Sequence, residues 1–385
     1  MRPKKYDYLI VGSGLFGSVF GREMHLAGKN VLIIDKREHI GGNVYTEKQD
    51  GIIVHRYGPH LFHTNNKIIW DYIRQFGEFN SYQHRVRAIY KDKLYSLPFN
   101  MNTFNQLWGV TFPAEAKAEI DRQRLDIKEP SNLEEWALSQ VGPDVYHTLI
   151  YGYTKKHWGR DPKLLPTFVA KRLPIRFTYD DNYFDDEYQG VPIKGYTHII
   201  ENMLDGLEVR THCDFFDTKD WRQVARKLVY TGPLDEFFKF KYGELDYRSL
   251  VFDHKNVLGN CQGIGQMNYT DIEVSHTRVV EHIHFRTHDT DRSIMTYEYP
   301  EEWVRGKERY YPVHTDDSVR RHQQYLEEAK KTSNMIVGGR LSEFRYYNMD
   351  EVINAGLLKS KQELNGKMSV CNHQAISGTR ISRTK

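Results

Sequence analysis

No apolar run in this chain approaches the roughly 20 residues that a membrane-spanning helix needs. The opening Met1-Arg2-Pro3-Lys4-Lys5 lacks the apolar core of a secretory leader, so neither insertion nor export is expected. Cysteine is scarce as well. Cys213, Cys261 and Cys371 are odd in number and far apart, which argues against a disulfide framework and a zinc cluster and fits a reducing cytoplasm. Charge of one sign is also missing. Lys plus Arg number 54 against 51 for Asp plus Glu, and a net +3 is too small for nucleic acid or an anionic membrane as main partner. Repeats and low-complexity linkers are absent. What the chain does have is length, 385 residues, enough for two or three domains, and 26 tyrosines, several of them in loops.

The organising stretch is Tyr6 to Asn43. The apolar run Tyr8-Leu9-Ile10-Val11 meets Gly12-Ser13-Gly14-Leu15-Phe16-Gly17, a helix-compatible segment follows, and Val31-Leu32-Ile33-Ile34 ends in Asp35. Strand, glycine turn, helix and strand with a terminal acid make the dinucleotide fingerprint in its expected context. Gly12 allows the tight turn, Gly14 lets backbone N–H groups approach a pyrophosphate, and Gly17 lets helix and strand pack closely. The helix N-terminus offers unpaired donors to the phosphates, and Asp35 accepts from a ribose. Lys36-Arg37-Glu38-His39-Ile40-Gly41-Gly42-Asn43 then resembles the extended fingerprint of FAD-binding flavoproteins, which favours FAD over NAD.

Further on, the spacing of Ile69, Tyr72, Ile73 and Phe76 predicts a helix from about Asn66. Alternation over Val86 to Tyr90, a turn at Lys91-Asp92-Lys93 and a return strand from Leu94 predict a hairpin. The texture is helical from about Asn102 to Pro174. There Ser131-x-x-Glu134 reads as a capping box, Gly142 as the end of that helix and Pro143 as the start of a helix ending near Gly152. Thr197 to Leu204 reads as a helix stopped by Gly206, and Lys227 to Pro233 as a strand with a cofactor-side turn. Val279–Phe285 and Ser293–Tyr299 read as strands of an antiparallel sheet, Met335–Arg340 as a strand meeting glycines, and Met349–Leu364 as a closing helix. The expected fold class is α/β, a discontinuous FAD-binding Rossmann-like domain with an inserted helical domain and an antiparallel β-sheet domain. Its expected parts are 1–80, 196–239 and 310–365 for FAD, 101–180 for the helices, and 81–100, 181–195 and 240–309 for the sheet. Residues 366–385 are expected to be a frayed tail.

Longer motifs are more specific than the glycine turn. They are Tyr57-Gly-Pro-His-Leu-Phe-His-Thr64, Ser96-Leu-Pro-Phe-Asn-Met-Asn102, Gly152-Tyr-Thr-Lys-Lys-His-Trp-Gly159 and Lys171-Arg-Leu-Pro-Ile-Arg-Phe177. Asp181-Asn-Tyr-Phe184, Thr231-Gly-Pro-Leu-Asp235, Tyr310-Tyr-Pro312 and Gly338-Gly-Arg-Leu341 complete the set. With these the chain closely resembles bacterial UDP-galactopyranose mutases, up to about Leu358. The resemblance implies an isomerase that interconverts UDP-galactopyranose and UDP-galactofuranose without net redox change and supplies galactofuranose for cell-surface polysaccharide. It implies reduced FAD whose N5 attacks the anomeric carbon as UDP leaves, a reductant such as NAD(P)H, and a homodimer.

The same resemblance assigns roles. Tyr153, Thr154 and Trp158 fall in the segment around the uridine, although aromatics at such spacing are more often core. Arg172 and Arg278 bind the diphosphate, helped by the phenols of Tyr183 and Tyr346; a planar fork of donors suits two adjacent phosphates. Arg172 lies in Lys163–Ile175, matching a mobile loop that closes over substrate. Arg340 and His60 match residues beside flavin and sugar, and with Arg172 and Arg278 they form the expected catalytic set. Arg248, Asn268, Glu298 and Tyr311 are further substrate positions. Gly12, Gly14, Phe16, Gly17, Asp35, Lys36, Gly42, Asn43, His60, Leu61, Arg340, Asn348 and Met349 are the expected FAD contacts. Asn348 departs from the family, where an aspartate is expected. His60 and His63 are spaced like metal ligands but lack a carboxylate or cysteine cluster, so no metal is expected. The competing readings are an FAD oxidoreductase of the amine-oxidase type and a nucleotide-sugar sensor.

Overall fold

The computed structural model describes residues 5–167, 174–286, 288 and 290–366. Strand β1 (Tyr6–Val11), helix α1 (Leu15–Leu26) and strand β2 (Val31–Ile34) form the expected unit. Strand β1 is central in a five-stranded parallel sheet ordered Met335–Val337, Ala225–Tyr230, β1, β2, Glu208–Arg210. Three separated stretches of chain thus build one sheet, because parallel neighbours need long crossovers. Phe16, Val19, Phe20 and Met24 of α1 join Ile199, Ile200 and Met203, and Val352 and Ile353 of the closing helix Met349–Leu364, in one buried cluster. At Gly356 an added Cβ would lie 2.9 Å from Val19 Cγ1, so that helix comes close to α1 only with glycine there.

The second sheet has seven strands, ordered Tyr311–Pro312, Tyr247–Leu258, Arg292–Glu302, Arg278–Glu281, Gln266–Tyr269, Val86–Tyr90, Lys93–Leu97. It is antiparallel except for one parallel pair, Gln266–Tyr269 with Val86–Tyr90. The predicted hairpin is there, with Lys91 and Asp92 at φ 47° and 61°. Both positive values suit a two-residue turn whose twist matches the strands. Helices Met101–Trp108, Pro113–Gln123 and Leu133–Gln140 cover one face, with Phe104, Ile120 and Trp136 against Val86, Ala88 and Leu97.

Several local expectations are corrected. The capping box is shifted by one: Asn132 Oδ1 accepts from Glu135 N at 3.0 Å, while Ser131 N and Oγ donate to the Glu135 carboxylate. The helix expected to stop near Gly152 continues. Gly142–Val145 runs into a π-helical turn, Tyr146–Tyr151, and on through Gly152–Trp158. Gly152 is no stop; an added Cβ would sit 2.1 Å from the Thr270 carbonyl, so glycine there lets helix and sheet touch. Such π turns often occur at functional sites. The strand expected over Val279–Phe285 is Arg278–Glu281, and His282–Phe285 curls into a 3-10 turn. Helix Asp316–Lys331 had no counterpart among the predicted elements. Among the described residues no helix is long and apolar enough to cross a membrane.

Candidate active site

One cavity of about 1030 Å³ runs from the glycine turn to the aromatic and arginine residues of the second sheet. Its nucleotide end is built by β1, α1 and β2. Gly12 has φ 102°, and a Cβ there would meet Thr231 Oγ1 at 2.2 Å. A Cβ on Gly17 would lie 2.0 Å from the Gly12 carbonyl, so helix and strand pack closely only without it. The second glycine loop closes over the first, since a Cβ on Gly42 would approach Gly14 Cα to 3.1 Å. These contacts leave an open backbone cradle at the start of α1, where a pyrophosphate fits.

Asp35 lines the cavity, but its carboxylate is already engaged. Oδ2 accepts from Ser13 N at 2.8 Å and Ser13 Oγ at 2.6 Å, and Oδ1 accepts from Arg37 N at 3.0 Å. It therefore ties the two loops together while lining the cavity. Arg37, unassigned from sequence, donates to Asn43 Oδ1 and Glu308, stacks 4.4 Å from the Tyr57 ring, and keeps Nη1 buried without a protein partner. Lys36 pairs with the same Glu308 at 2.8 Å. An unmatched buried donor beside an open glycine cradle is what an anionic dinucleotide would satisfy, so the residues present fit FAD. The expected contacts Phe16, Leu61, Asn348 and Met349 line the same cavity. Asn348 also precedes the closing helix, its N–H donating to Glu351 at 2.8 Å.

At the other end, Gly152–Trp158 places Tyr153, Thr154, His157 and Trp158 on the wall, with Tyr183, Asn268, Arg278, Tyr311, Arg340 and Tyr346 around them. Tyr311 stacks on Tyr346 at 5.7 Å, and the Arg340 guanidinium lies 5.6 Å from the Tyr311 ring. Burial pushes the Tyr153 and Tyr311 phenols up, which keeps both as proton donors. Arg278 Nε donates to Glu298 Oε2 at 2.6 Å, with Glu298 only 1% exposed. Burial opposes the Arg278 charge, yet Glu298 beside it holds the guanidinium firmly protonated. Glu298 does not line the cavity; it fixes Arg278 from behind. Arg248 lies outside the cavity too. Its Nε donates to the His157 carbonyl at 3.0 Å and its Nη1 pairs with Glu302 at 2.5 Å, so it secures the end of the wall helix rather than reaching substrate. Arg172 lies outside the described residues.

His60 Nδ1 donates to the Gly58 carbonyl at 2.8 Å, which leaves Nε2 as an acceptor. Burial lowers its pKa to about 4, with Arg340 and Arg278 adding to the effect. Sequence gave no sign of the His63–Asp186 pair, 2.6 Å apart, with His63 stacked on Phe184 at 3.6 Å, because 123 positions separate the partners. His84, also unassigned from sequence, lies on the cavity wall beside Tyr183.

The buried histidines have a consequence for stability. Burial lowers His55 and His84 to about 3 and His282 well below its ordinary value. Each stays neutral when folded but takes a proton near pH 6.5 when unfolded, so folded-state stability is lost as pH falls below 6.5. At about 1.4 kcal/mol per pH unit each, the three together give a slope of about 4 kcal/mol per pH unit. Thermal melts between pH 7 and 5 are expected to drop steeply; a flat profile would contradict neutral burial.

A sequence profile of UDP-galactopyranose mutase matches residues 148–346, and one of an NAD(P)-binding Rossmann-like domain matches residues 10–76. A probable UDP-galactopyranose mutase of Klebsiella pneumoniae is 38% identical, covering 96% of this chain and 97% of its own. The chain belongs to the UDP-galactopyranose mutase family. It is thus an isomerase and a flavoprotein, with FAD as its cofactor. A second family-like relative, a dTDP-fucopyranose mutase of Escherichia coli, is 37% identical over 90% of this chain and 95% of its own. A solved structure of reduced UDP-galactopyranose mutase superposes with TM-score 0.74 at 16% identity, covering 95% of each chain, which supports the fold.

Proposed function

We propose that the chain interconverts the pyranose and furanose forms of UDP-galactose, with Arg278 holding the diphosphate, Arg340 beside flavin and sugar, and Tyr153 and Trp158 enclosing the uridine. The observation that carries this is one continuous cavity joining the glycine cradle to the Arg278 and tyrosine cluster. When bound and reduced, FAD supplies a nucleophilic nitrogen for the anomeric carbon. The chain's own residues do the rest. Gly12, Gly14 and Gly42 cradle the cofactor's pyrophosphate, and Arg37 adds charge there. Arg278, kept in place by Glu298, neutralises the UDP phosphates while they are detached and holds them for return. Tyr183 and Tyr346 offer phenolic donors toward the same group, and Tyr311 is a further substrate position. His60 is neutral and presents an acceptor nitrogen. Arg172 is assigned to the diphosphate as well. The free Cys213 and Cys261 fit a reducing cytoplasm, where a nicotinamide nucleotide would reduce the flavin.

A second substrate is favoured by the E. coli relative named dTDP-fucopyranose mutase, whose identity is within a point of the Klebsiella protein. Dithionite-reduced holoenzyme should therefore be given UDP-galactopyranose and dTDP-fucopyranose in parallel. Furanose product from the UDP sugar in reduced enzyme only is the expected result. Turnover of the dTDP sugar alone would reassign the substrate, and turnover by oxidised enzyme without any reductant would overturn the role of reduced FAD.

A further inference from the structure

The helix Gly152–Trp158 and the strands Gln266–Tyr269 and Arg278–Glu281 carry opposite sides of the proposed nucleotide-sugar site. Tyr153, Thr154 and Trp158 stand on the helix. Asn268 and Arg278 stand on the strands, paired directly across the antiparallel register. The loop between those strands turns back toward the helix, and Lys156 reaches into it. The Lys156 Nζ lies 2.8 Å from the Tyr269 carbonyl, 2.7 Å from Asp271, 2.8 Å from Val274 and 3.0 Å from His276. An ammonium has three N–H donors, so at least one is shared among these four oxygens. Burial lowers the Lys156 pKa to about 8, while carbonyl oxygens, which only accept, favour the charged amine that still predominates at neutral pH. Four of them at these distances form a cage for a small monovalent cation, occupied here by a tethered one.

Other contacts join the same two elements. Gly152 closes on the Thr270 carbonyl, and Thr270 Oγ donates to the Thr148 carbonyl at 2.7 Å. Those contacts hold the loop at its Tyr269 end. The far end, Val274 to His276, reaches the helix through Lys156. His276 lies two residues before Arg278, so a shift of the loop's far end moves the base of the strand that carries the guanidinium. Behind Lys156, Arg248 donates to the Lys156 carbonyl at 3.3 Å and to His157, so the helix end is itself fixed.

We propose that Lys156 is a positioning residue of the nucleotide-sugar site: its ammonium, caged by the loop carbonyls, sets the spacing between the Tyr153–Trp158 wall and the Asn268–Arg278 strands. The inference rests on the placement of UDP given above, and the test separates the two. UDP titrations of holoenzyme, followed by calorimetry, compare wild type with Lys156→Ala in chloride salts of potassium, ammonium and tetramethylammonium at equal ionic strength. The expected result is at least a tenfold loss of UDP affinity in Lys156→Ala with flavin content unchanged. Potassium or ammonium, which fit the cage, should restore affinity, and tetramethylammonium should not. A merely structural lysine would give no size-dependent rescue. Wild-type affinity in Lys156→Ala, or loss without size-dependent rescue, overturns the proposal. Failure of the wild type to bind UDP instead overturns the placement of UDP. For that case, and for a variant that does not fold, wild-type holoenzyme is reductively methylated and mapped by mass spectrometry. Lys156, with its N–H groups occupied, should stay unmodified while the neighbouring Lys155 is dimethylated; equal labelling overturns the cage.

Discussion

Arg278→Ala is expected to leave the protein yellow and to weaken UDP binding by about 2–5 kcal/mol, some thirty-fold to several thousand-fold. Turnover should fall at least as far. The guanidinium lies in the cavity with an 18% exposed side chain, held by Glu298 at 2.6 Å. On the proposed placement of UDP, deleting it removes a charge-assisted hydrogen bond to the phosphates. It also leaves the buried Glu298 carboxylate without its partner, and breaking a buried pair in this way costs about 3–5 kcal/mol of stability. The two effects need separating. Arg278→Ala combined with Glu298→Gln removes the stranded charge, so stability should recover while UDP affinity stays low. Arg278→Lys should restore little, because an ammonium cannot bridge two phosphate oxygens as a fork does. Flavin absorbance and calorimetric UDP titration measure both quantities. Wild-type UDP affinity in the double variant would show that the diphosphate lies elsewhere.

Gly14→Ala and Gly17→Ala are expected to abolish FAD retention for different reasons. At Gly14 the backbone is extended, φ −70° and ψ −179°, and an added Cβ finds nothing closer than Gly42 Cα at 3.9 Å. The protein alone can take that methyl group. The cofactor cannot, if the pyrophosphate lies against this backbone as the fingerprint implies. Gly14→Ala should therefore yield colourless protein whose far-UV spectrum and apo-form melt match the wild-type apoprotein. At Gly17 the added Cβ would come within 2.0 Å of the Gly12 carbonyl, a backbone atom with no rotamer to adopt. Overpacking of that kind typically costs 1–3 kcal/mol or more, and here it would pry α1 from β1. Gly17→Ala should lower the melting temperature of the apoprotein itself. A yellow Gly14→Ala protein with stoichiometric FAD would place the pyrophosphate away from α1.

Much of the site could be read from local sequence, and the exceptions share a cause. The cradle was readable because its parts lie within Gly12 to Gly42 and each glycine answers a local demand of turn, approach or packing. The hairpin at Lys91-Asp92 and the closing helix Met349–Leu364 were readable for the same reason. Gly152 misled because a glycine that ends a helix and one that admits a neighbouring strand look alike in sequence; only the Thr270 carbonyl tells them apart. Arg248 misled because an arginine can serve a phosphate or a helix end equally well. Its place depends on the His157 carbonyl, 91 positions away.

By itself, then, the sequence determined the dinucleotide cradle, the choice of FAD, and the aromatic and arginine motifs that the fold brings to one cavity. Turn geometry, helix periodicity and short motifs act over a few residues and leave their mark there. Tertiary structure alone decided which polar side chains face the cavity and which stand behind it. It put Glu298 against Arg278, Asp186 against His63, and the Lys156 ammonium among the carbonyls of a loop more than 110 positions away. A buried charge or donor must find a partner wherever the packed chain brings one, and that choice belongs to the sheet register and helix packing, which no local pattern records.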